Sequence, residues 1–242
     1  MNLAQWYFIV NPIAGNGRGH KSWQKIQFWL KQANINFDFG ISNYPQHSTQ
    51  LANEAVLKGY RYIAAVGGDG TINEVINGIF AQQNVPTNSI TFAVIPVGTG
   101  NDWIKTHKIP NHLKKAIQLL IQPKVIQHDV GKVTYHNIDS LEQEQRFFIN
   151  VAGLAYDAFV TRATKKRPKY GGNSKLYYLY LILRCITQFK ATPATISFDG
   201  KEISFPFFNI TIGQCQYNGG GTTVVPHADP EDGLFALSLF KD

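Results

Sequence analysis

The sequence predicts an α/β protein: a parallel sheet wrapped by helices in the first half, and a smaller β-rich domain in the second. Three observations predict it. Short apolar runs rich in β-formers alternate with stretches of helical periodicity as far as residue 120. Three of those runs end in turns made of glycine, hydroxyl and acidic residues. Beyond Lys124 the alternation stops, and strand-like segments follow one another. Alternating strands and helices give a parallel sheet, and such sheets bind ligands at the carboxyl ends of their strands. The three turns therefore fall on one edge.

Tyr7-Phe8-Ile9-Val10 reads as the first strand, running into Asn11-Pro12-Ile13-Ala14-Gly15-Asn16-Gly17-Arg18-Gly19. This loop is rich in glycine, with Arg18 inside it and Lys21 just after. Ser22 is placed to cap the next helix, whose buried face is marked by Trp23, Ile26 and Leu30. No Gly-Lys-Ser/Thr closes the loop, so it is not a Walker A motif. A generic phosphate loop and a plain strand–helix turn both fit it. Residues 36–41 read as a second strand and 49–57 as a second helix, with Ser42 and His47 between them. His47 there is a capping or surface histidine sooner than a catalytic one.

Tyr62-Ile63-Ala64-Ala65-Val66 is a buried third strand, followed by Gly67-Gly68-Asp69-Gly70-Thr71. Ile72, Val75, Ile76 and Ile79 then recur at helical spacing, up to a polar connection beginning at Gly78. The glycines thus sit between a strand and a helix N-terminus, where free N–H groups and the helix dipole favour phosphate. Asp69 would repel bare phosphate. It makes sense there if it holds a magnesium ion or takes a proton from an attacking hydroxyl. Residues 91–96 form a fourth strand ending in Val97-Gly98-Thr99-Gly100-Asn101-Asp102, and 111–120 a helix closed by Pro123.

The domain boundary falls near Asp129, giving domains 1–129 and 130–242. In the second, residues 132–135 and 146–151 read as strands around a polar turn. Residues 194–198, 202–205, 207–212 and 235–240 are also strand-like. Thr164-Lys165-Lys166-Arg167-Pro168-Lys169-Tyr170 is strongly basic and precedes an apolar, tyrosine-rich helix candidate at 176–183. A site for anionic lipid and a solvated loop before a core helix both fit that pair.

The 242 residues carry a net charge of +7, which suits a polyanionic ligand or an anionic membrane surface; no nucleic-acid-binding motif is present. Cys185 and Cys215 lie in apolar sequence without metal-ligand spacing, as reduced core residues of an intracellular protein. The chain opens directly into a strand without signal-peptide features, and 176–183 is too short to span a bilayer. A soluble or peripheral cytoplasmic protein is expected.

Taken in order, Asn11-Pro12…Gly15, Gly67-Gly68-Asp69-Gly70-Thr71-Ile72-Asn73-Glu74 and Pro96-Val97-Gly98-Thr99-Gly100-Asn101-Asp102 resemble the bacterial diacylglycerol kinase family of soluble lipid kinases. Asp129-Val130-Gly131, Phe148-Ile149-Asn150-Val151-Ala152-Gly153 and Gly219-Gly220-Gly221…Pro226-His227-Ala228…Asp232-Gly233-Leu234 extend the resemblance to the last residues. It implies an ATP-binding α/β domain of NAD-kinase and phosphofructokinase type, with a β-sandwich lipid-binding domain behind it and the active site between. It further implies ATP- and magnesium-dependent transfer of phosphate to a lipid hydroxyl at the inner membrane surface, without a nucleic-acid partner. Asn11, Pro12, Ile13, Ala14, Gly15, Ser42, Gly67, Gly68, Asp69, Gly70, Thr71, Ile72, Asn73, Glu74 and Thr99 match the ATP-binding positions. Ser42 stands where the family usually has threonine. Asp69, Asp102 and Asp129 match the acids that organise catalytic magnesium. Asp232, with backbone carbonyls near Asp229 and Leu234, matches a structural magnesium site. Family members continue for some tens of residues past the equivalent of Asp242, through an Asp-Gly-Glu motif that supplies the general base. The β-rich domain is therefore expected to be incomplete, with Asp69 left as the base, as in the sphingoid kinases. An exposed sheet edge would make a homodimer plausible. The alternatives are a nucleotide- or lipid-binding protein without turnover, and a soluble-substrate kinase of NAD-kinase type.

Overall fold

In the first strand, β1 (Trp6–Val10), all five residues are buried, and their alternation decides the architecture. Trp6, Phe8 and Val10 face one side of the sheet, Tyr7 and Ile9 the other. A strand buried on both faces needs cover on both, and the chain supplies it with helices. The computed structural model describes residues 5–98, 101–137, 140–165 and 175–241. After β1 come a single turn α1 (Ala14–Gly17), α2 (Gly19–Gln32), β2 (Phe37–Ile41), α3 (His47–Leu57), β3 (Tyr62–Gly67), α4 (Asp69–Ala81), β4 (Thr91–Pro96), α5 (Trp103–Thr106) and α6 (Leu113–Ile121).

The four strands pair in parallel in the order β2-β1-β3-β4. Trp23, Ile26 and Leu30 of α2, with Ala116 and Ile117 of α6, close over Trp6, Phe8 and Val10. Leu51, Ala52, Ala55 and Val56 of α3 cover the opposite face, together with Ile72, Val75, Ile76 and Ile79 of α4. Each fully buried aliphatic side chain contributes about 1.5–3 kcal/mol. The strand ends are thus held by two layers of helix.

The second half opens with an antiparallel hairpin, β5 (Gly131–His136) and β6 (Gln143–Phe148). It packs on α4, where Asn77 exchanges two hydrogen bonds with the Phe147 backbone (2.9 Å each) and Asn73 Nδ2 donates to the Phe147 carbonyl at 3.2 Å. Then follow β7 (Val151–Ala155), α7 (Tyr156–Lys165), α8 (Lys175–Gln188), β8 (Thr192–Phe198), β9 (Lys201–Gly213), β10 (Tyr217–Asn218), β11 (Thr222–Thr223) and β12 (Ala236–Lys241). An antiparallel sheet of order β12-β9-β7 is built around the long β9, whose first half also pairs with β8. Among the described residues no helix is long and apolar enough to cross a membrane.

Four local expectations give way to the structure. Ser22 caps nothing: α2 already begins at Gly19, and the Ser22 N–H bonds inside the helix to Arg18 O (2.8 Å). Gly78 does not begin the connection after α4; the helix continues to Ala81. A Cβ on Gly78 would stand 2.1 Å from Thr49 O, so glycine is there to let α3 approach. Residues 202–205 and 207–212 are one strand, uninterrupted by Pro206. Pro206 lies opposite Pro193 on β8, so that pair exchanges no N–H bond and the ladder continues around it. Finally, the stretch at 146–151 divides: β6 stops at Phe148 and β7 starts at Val151. The basic stretch from Lys166 to Tyr170 lies outside the described residues.

Candidate active site

Strand order places the three glycine turns side by side at the carboxyl edge of the parallel sheet. The ladder runs one residue past each strand: Ser42 N–H donates to Val10 O (2.9 Å), Asn11 N–H to Val66 O (3.0 Å) and Val97 N–H to Gly67 O (2.9 Å). Asn11 then braces the neighbouring turns with its side chain. Its Nδ2 donates to Thr71 Oγ1 at 3.0 Å, while its Oδ1 accepts the Ile13 N–H at 3.1 Å. Gly15 has φ +62° and Gly98 φ +148°, and a Cβ on Gly15 would come within 3.3 Å of Gly98 Cα. The first and third loops therefore touch backbone to backbone, which only glycines at these φ values allow. Arg18 is folded back, its Nε donating to Gly15 O at 2.8 Å.

Between those loops α4 begins. Its first intrahelical hydrogen bond is from Ile72 N–H to Gly68 O, so the N–H groups of Asp69, Gly70 and Thr71 precede the ladder. A Cβ on Gly70 would meet nothing within 4 Å, so this side of the turn is open. On Gly67 it would lie 2.2 Å from Thr71 Oγ1. The turn is closed behind and open in front.

Asp69 is held from the next loop. Its Oδ2 accepts the Asp102 N–H at 2.8 Å and its Oδ1 the Trp103 N–H at 3.2 Å, at the start of α5. Burial pushes this carboxyl above its usual range, while those two backbone N–H groups pull it part of the way back. Asp102 is only 3% exposed. Lys105 Nζ sits 2.7 Å from its Oδ1, and the Gly220 N–H donates to its Oδ2 at 2.8 Å. Asp102 thus ties the 219–221 glycines of the second half to the carboxyl edge of the parallel sheet.

Asp129 lies with a different group. Its N–H donates to Pro230 O and its Oδ2 accepts the Gly233 N–H, both at 2.7 Å. The loop it grips turns on two local bonds: Glu231 N–H to Asp229 Oδ1 (3.0 Å) and Leu234 N–H to Asp232 Oδ1 (2.9 Å). Asp229, Asp232 and Leu234 are all exposed. The structure therefore brings Asp69 and Asp102 together and places Asp129 with Asp229, Asp232 and Leu234.

The remaining predicted residues divide by what their side chains touch. Ile72 is in the core. Asn73 Oδ1 accepts from Arg146 (3.0 Å from Nη2), so this side chain serves the β5–β6 hairpin. Glu74 Oε1 accepts the Gln46 N–H at 3.2 Å and holds the entry to α3. Ser42 is buried, and Pro12 and Ala14 are half-buried beside the exposed Ile13. His47 begins α3, accepts the Asn43 N–H at Nδ1 (3.0 Å) and stacks on Tyr44; it closes the turn before the helix and does not cap it, the N-cap being Gln46. Thr99 lies outside the described residues.

Some contributors escaped the sequence. Lys105 carried a signal, since it lies three residues after Asp102 on a helix, where such pairs meet. Gly220 stood in a motif of the resemblance, but nothing local named Asp102 as its partner. Cys215 corrects an expectation: its surroundings are not wholly apolar, because its Sγ lies 3.6 Å from His128 Nε2 and 3.8 Å from His107 Nε2. Those partners are far away in sequence, so no local spacing announces them.

An open parallel sheet whose glycine turns and carboxylates converge at its strand ends defines a phosphate-handling α/β protein. The chain belongs to the diacylglycerol kinase catalytic domain family, whose profile matches residues 5–133. A second profile, the YegS C-terminal NAD kinase beta sandwich-like domain, matches residues 150–242. A diacylglycerol kinase of Bacillus subtilis is 29% identical over 96% of this chain and 72% of its own length. One from Staphylococcus aureus strain JH9 is 30% identical over 96% of this chain and 69% of its own. In structure, the chain superposes on a diacylglycerol kinase from Bacillus anthracis with a TM-score of 0.72 at 24% identity, over 100% of this chain and 75% of that one. Family membership places the chain among kinases.

Proposed function

We propose that this protein transfers the γ-phosphoryl group of ATP, with magnesium, to the hydroxyl of a lipid, diacylglycerol foremost. The observation that carries the reading is the Asp69–Asp102 pair, set against the N-terminus of α4 where three glycine turns meet. Phosphoryl transfer asks a protein for positioning and charge neutralisation more than for covalent chemistry. The residues fit both groups. The near contact of Gly15 with Gly98 and the open side of Gly70 form a cradle that a Cβ would fill, which suits a phosphate chain approaching the backbone. The donors beside it are carboxylate oxygens, the hard ligands that magnesium takes.

In this reading the N–H groups of Asp69, Gly70 and Thr71 receive phosphate oxygens. Asn11 holds the first and second turns in register through Thr71, and Ser42 lies on the nucleotide side. Asp69 and Asp102 hold the catalytic magnesium, and Asp129 steadies the second half from the 229–234 loop. Asp232, with the carbonyls of Asp229 and Leu234, holds a second, structural magnesium. When bound, the catalytic ion neutralises charge on the β- and γ-phosphate oxygens. Asp69 is also the base that accepts the proton of the lipid hydroxyl. Two backbone N–H groups fix its direction. The net charge of +7 favours work at an anionic lipid surface.

The test is transfer of labelled γ-phosphate from ATP to lipids in mixed micelles, with and without magnesium. Diacylglycerol, sphingosine, a polyprenol and phosphatidylglycerol form the panel, with NAD as a soluble acceptor. Magnesium-dependent labelling of diacylglycerol is the expected result. Labelling of NAD alone would replace the lipid reading, and ATP binding without any transfer would make the chain a nucleotide-binding protein.

A further inference from the structure

Among the described residues, one group of three His, Cys, Asp or Glu side chains converges closely enough to share a metal ion, and it is not made of the predicted acids. It consists of His107, His128 and Cys215. His107 Nε2 and His128 Nε2 are 3.1 Å apart, and Cys215 Sγ is 3.6 Å from the second and 3.8 Å from the first. Zinc with nitrogen ligands at about 2.0–2.1 Å and a thiolate at about 2.3 Å, in a tetrahedron, separates two nitrogens by about 3.3 Å and nitrogen from sulfur by about 3.6 Å. The triangle already has those dimensions.

A neighbouring hydrogen bond sets the chemistry of one ligand. His128 Nδ1 lies 2.6 Å from the Asp129 carbonyl oxygen, a contact that needs a proton on Nδ1. Its Nε2 therefore presents a lone pair to the other two ligands, the orientation that a backbone carbonyl behind a metal-bound histidine enforces. Without metal, that lone pair is met by the Trp103 indole N–H at 3.1 Å and by His107 Nε2, while the Cys215 thiol points to Ile149 O at 3.5 Å. Burial keeps the cluster neutral: it pushes His107 down to about 4, lowers His128, and pushes the Cys215 thiol up to about 12. Neutral imidazole is the form that binds metal, and a cation brings the charge that turns a buried thiol into thiolate.

We propose that His107, His128 and Cys215 form a site for a borderline-soft divalent cation, zinc foremost, which clips the two halves of the chain together. His107 directly follows α5, five residues after Asp102; His128 precedes Asp129; and Cys215 lies between β9 and the Gly219–Gly221 turn that Asp102 grips. One ion thus fastens the three segments that carry the acids and their cross-chain partner. Binding displaces the Trp103 hydrogen bond and moves the His107 proton from Nε2 to Nδ1. A sulfur–zinc bond forms as the S–H bond breaks, with its electron pair kept by sulfur and the proton released to solvent. A water completes the tetrahedron. Sulfur in the ligand set separates this site from any magnesium site, which takes oxygen alone.

The experiment is titration of tag-free, chelator-treated protein with Co²⁺, followed by absorption. The expected result is a 1:1 thiolate-to-cobalt charge-transfer band in the near ultraviolet with visible bands of tetrahedral cobalt, abolished by zinc and untouched by excess magnesium. The band persists in Cys185→Ala and disappears in Cys215→Ala, and His107→Gln weakens cobalt binding at least tenfold. Zinc at a hundredfold excess over its Kd raises the Tm of the wild type by about 5–10 °C. A folded wild type that gives no charge-transfer band at saturating cobalt overturns the proposal, and so does a band that survives in Cys215→Ala. The wild-type titration is decisive even if a variant fails to fold.

Discussion

Two acid-bearing regions of this protein are built in opposite ways. At the carboxyl edge of the parallel sheet, Asp69 and Asp102 are partly or wholly buried, and each is fixed from another part of the chain, Asp69 by the start of α5 and Asp102 by Gly220, with Lys105 a local partner of Asp102. On the 229–234 loop, Asp229 and Asp232 are exposed, and each accepts the N–H two residues ahead of it. Buried charges held by distant partners are strongly coupled to the fold and to any ion that joins them, since water does not screen them. Exposed acids in local turns hold their shape cheaply and respond weakly to change. The first pair is fixed by tertiary contacts, the second by its own turns.

That contrast can be tested from the largest effect downward. In the first region, Asp69→Asn is expected to lower phosphoryl transfer by about 10²–10⁴-fold, the range for loss of a positioned base. Circular dichroism should show its fold kept, because the isosteric amide still accepts one of the two N–H groups. Transfer at the wild-type rate would remove Asp69 from the chemistry. Gly78→Ala should come next. Its Cβ must push back Thr49 O, a backbone atom, so α3 and α4 separate at a cost of about 1–3 kcal/mol, read as a lower denaturant midpoint.

An effect of similar size belongs to the histidines. His107 is depressed in the fold to about 4, first by burial and then by His128. A histidine with a lowered folded pKa gives stability that is present above its unfolded value, about 6.5, and lost as pH falls toward the folded one. Chelator-treated protein should therefore lose stability between about pH 6.5 and pH 4, and His107→Gln should flatten that slope. Smallest of all, in magnesium-free buffer, Asp232→Ala is expected to cost about 0.5–1 kcal/mol, the worth of one exposed turn hydrogen bond. A Tm loss as large as that of Gly78→Ala would mean the 229–234 loop is coupled to the fold after all.

Much of this was legible in the chain. Hydrophobic period decided the parallel sheet, the buried face of α2 at Trp23, Ile26 and Leu30, and the run from β3 into α4. A regular local repeat allows few conformations that bury all its apolar residues. Glycines placed the turns for the same reason, since few other residues take those backbone angles or allow that approach. The positions of Asp69 and Asp102 near one another followed from turns on neighbouring strands. Apart from the start of α2 and the break between β6 and β7, what stayed hidden was a meeting of distant segments. Gly78 looked like the end of a helix because a helix does not declare which neighbour crosses it. Pro206 looked like a break because the missing N–H matters only if the residue opposite needs it. Cys215 looked like an ordinary core cysteine, because two of its neighbours are histidines 108 and 87 residues away. Local chemistry settled the type and order of the elements of the first half and the place of its glycine turns. Which elements touch was left to the competition among all ways of burying the same surfaces, and only the folded chain records its outcome.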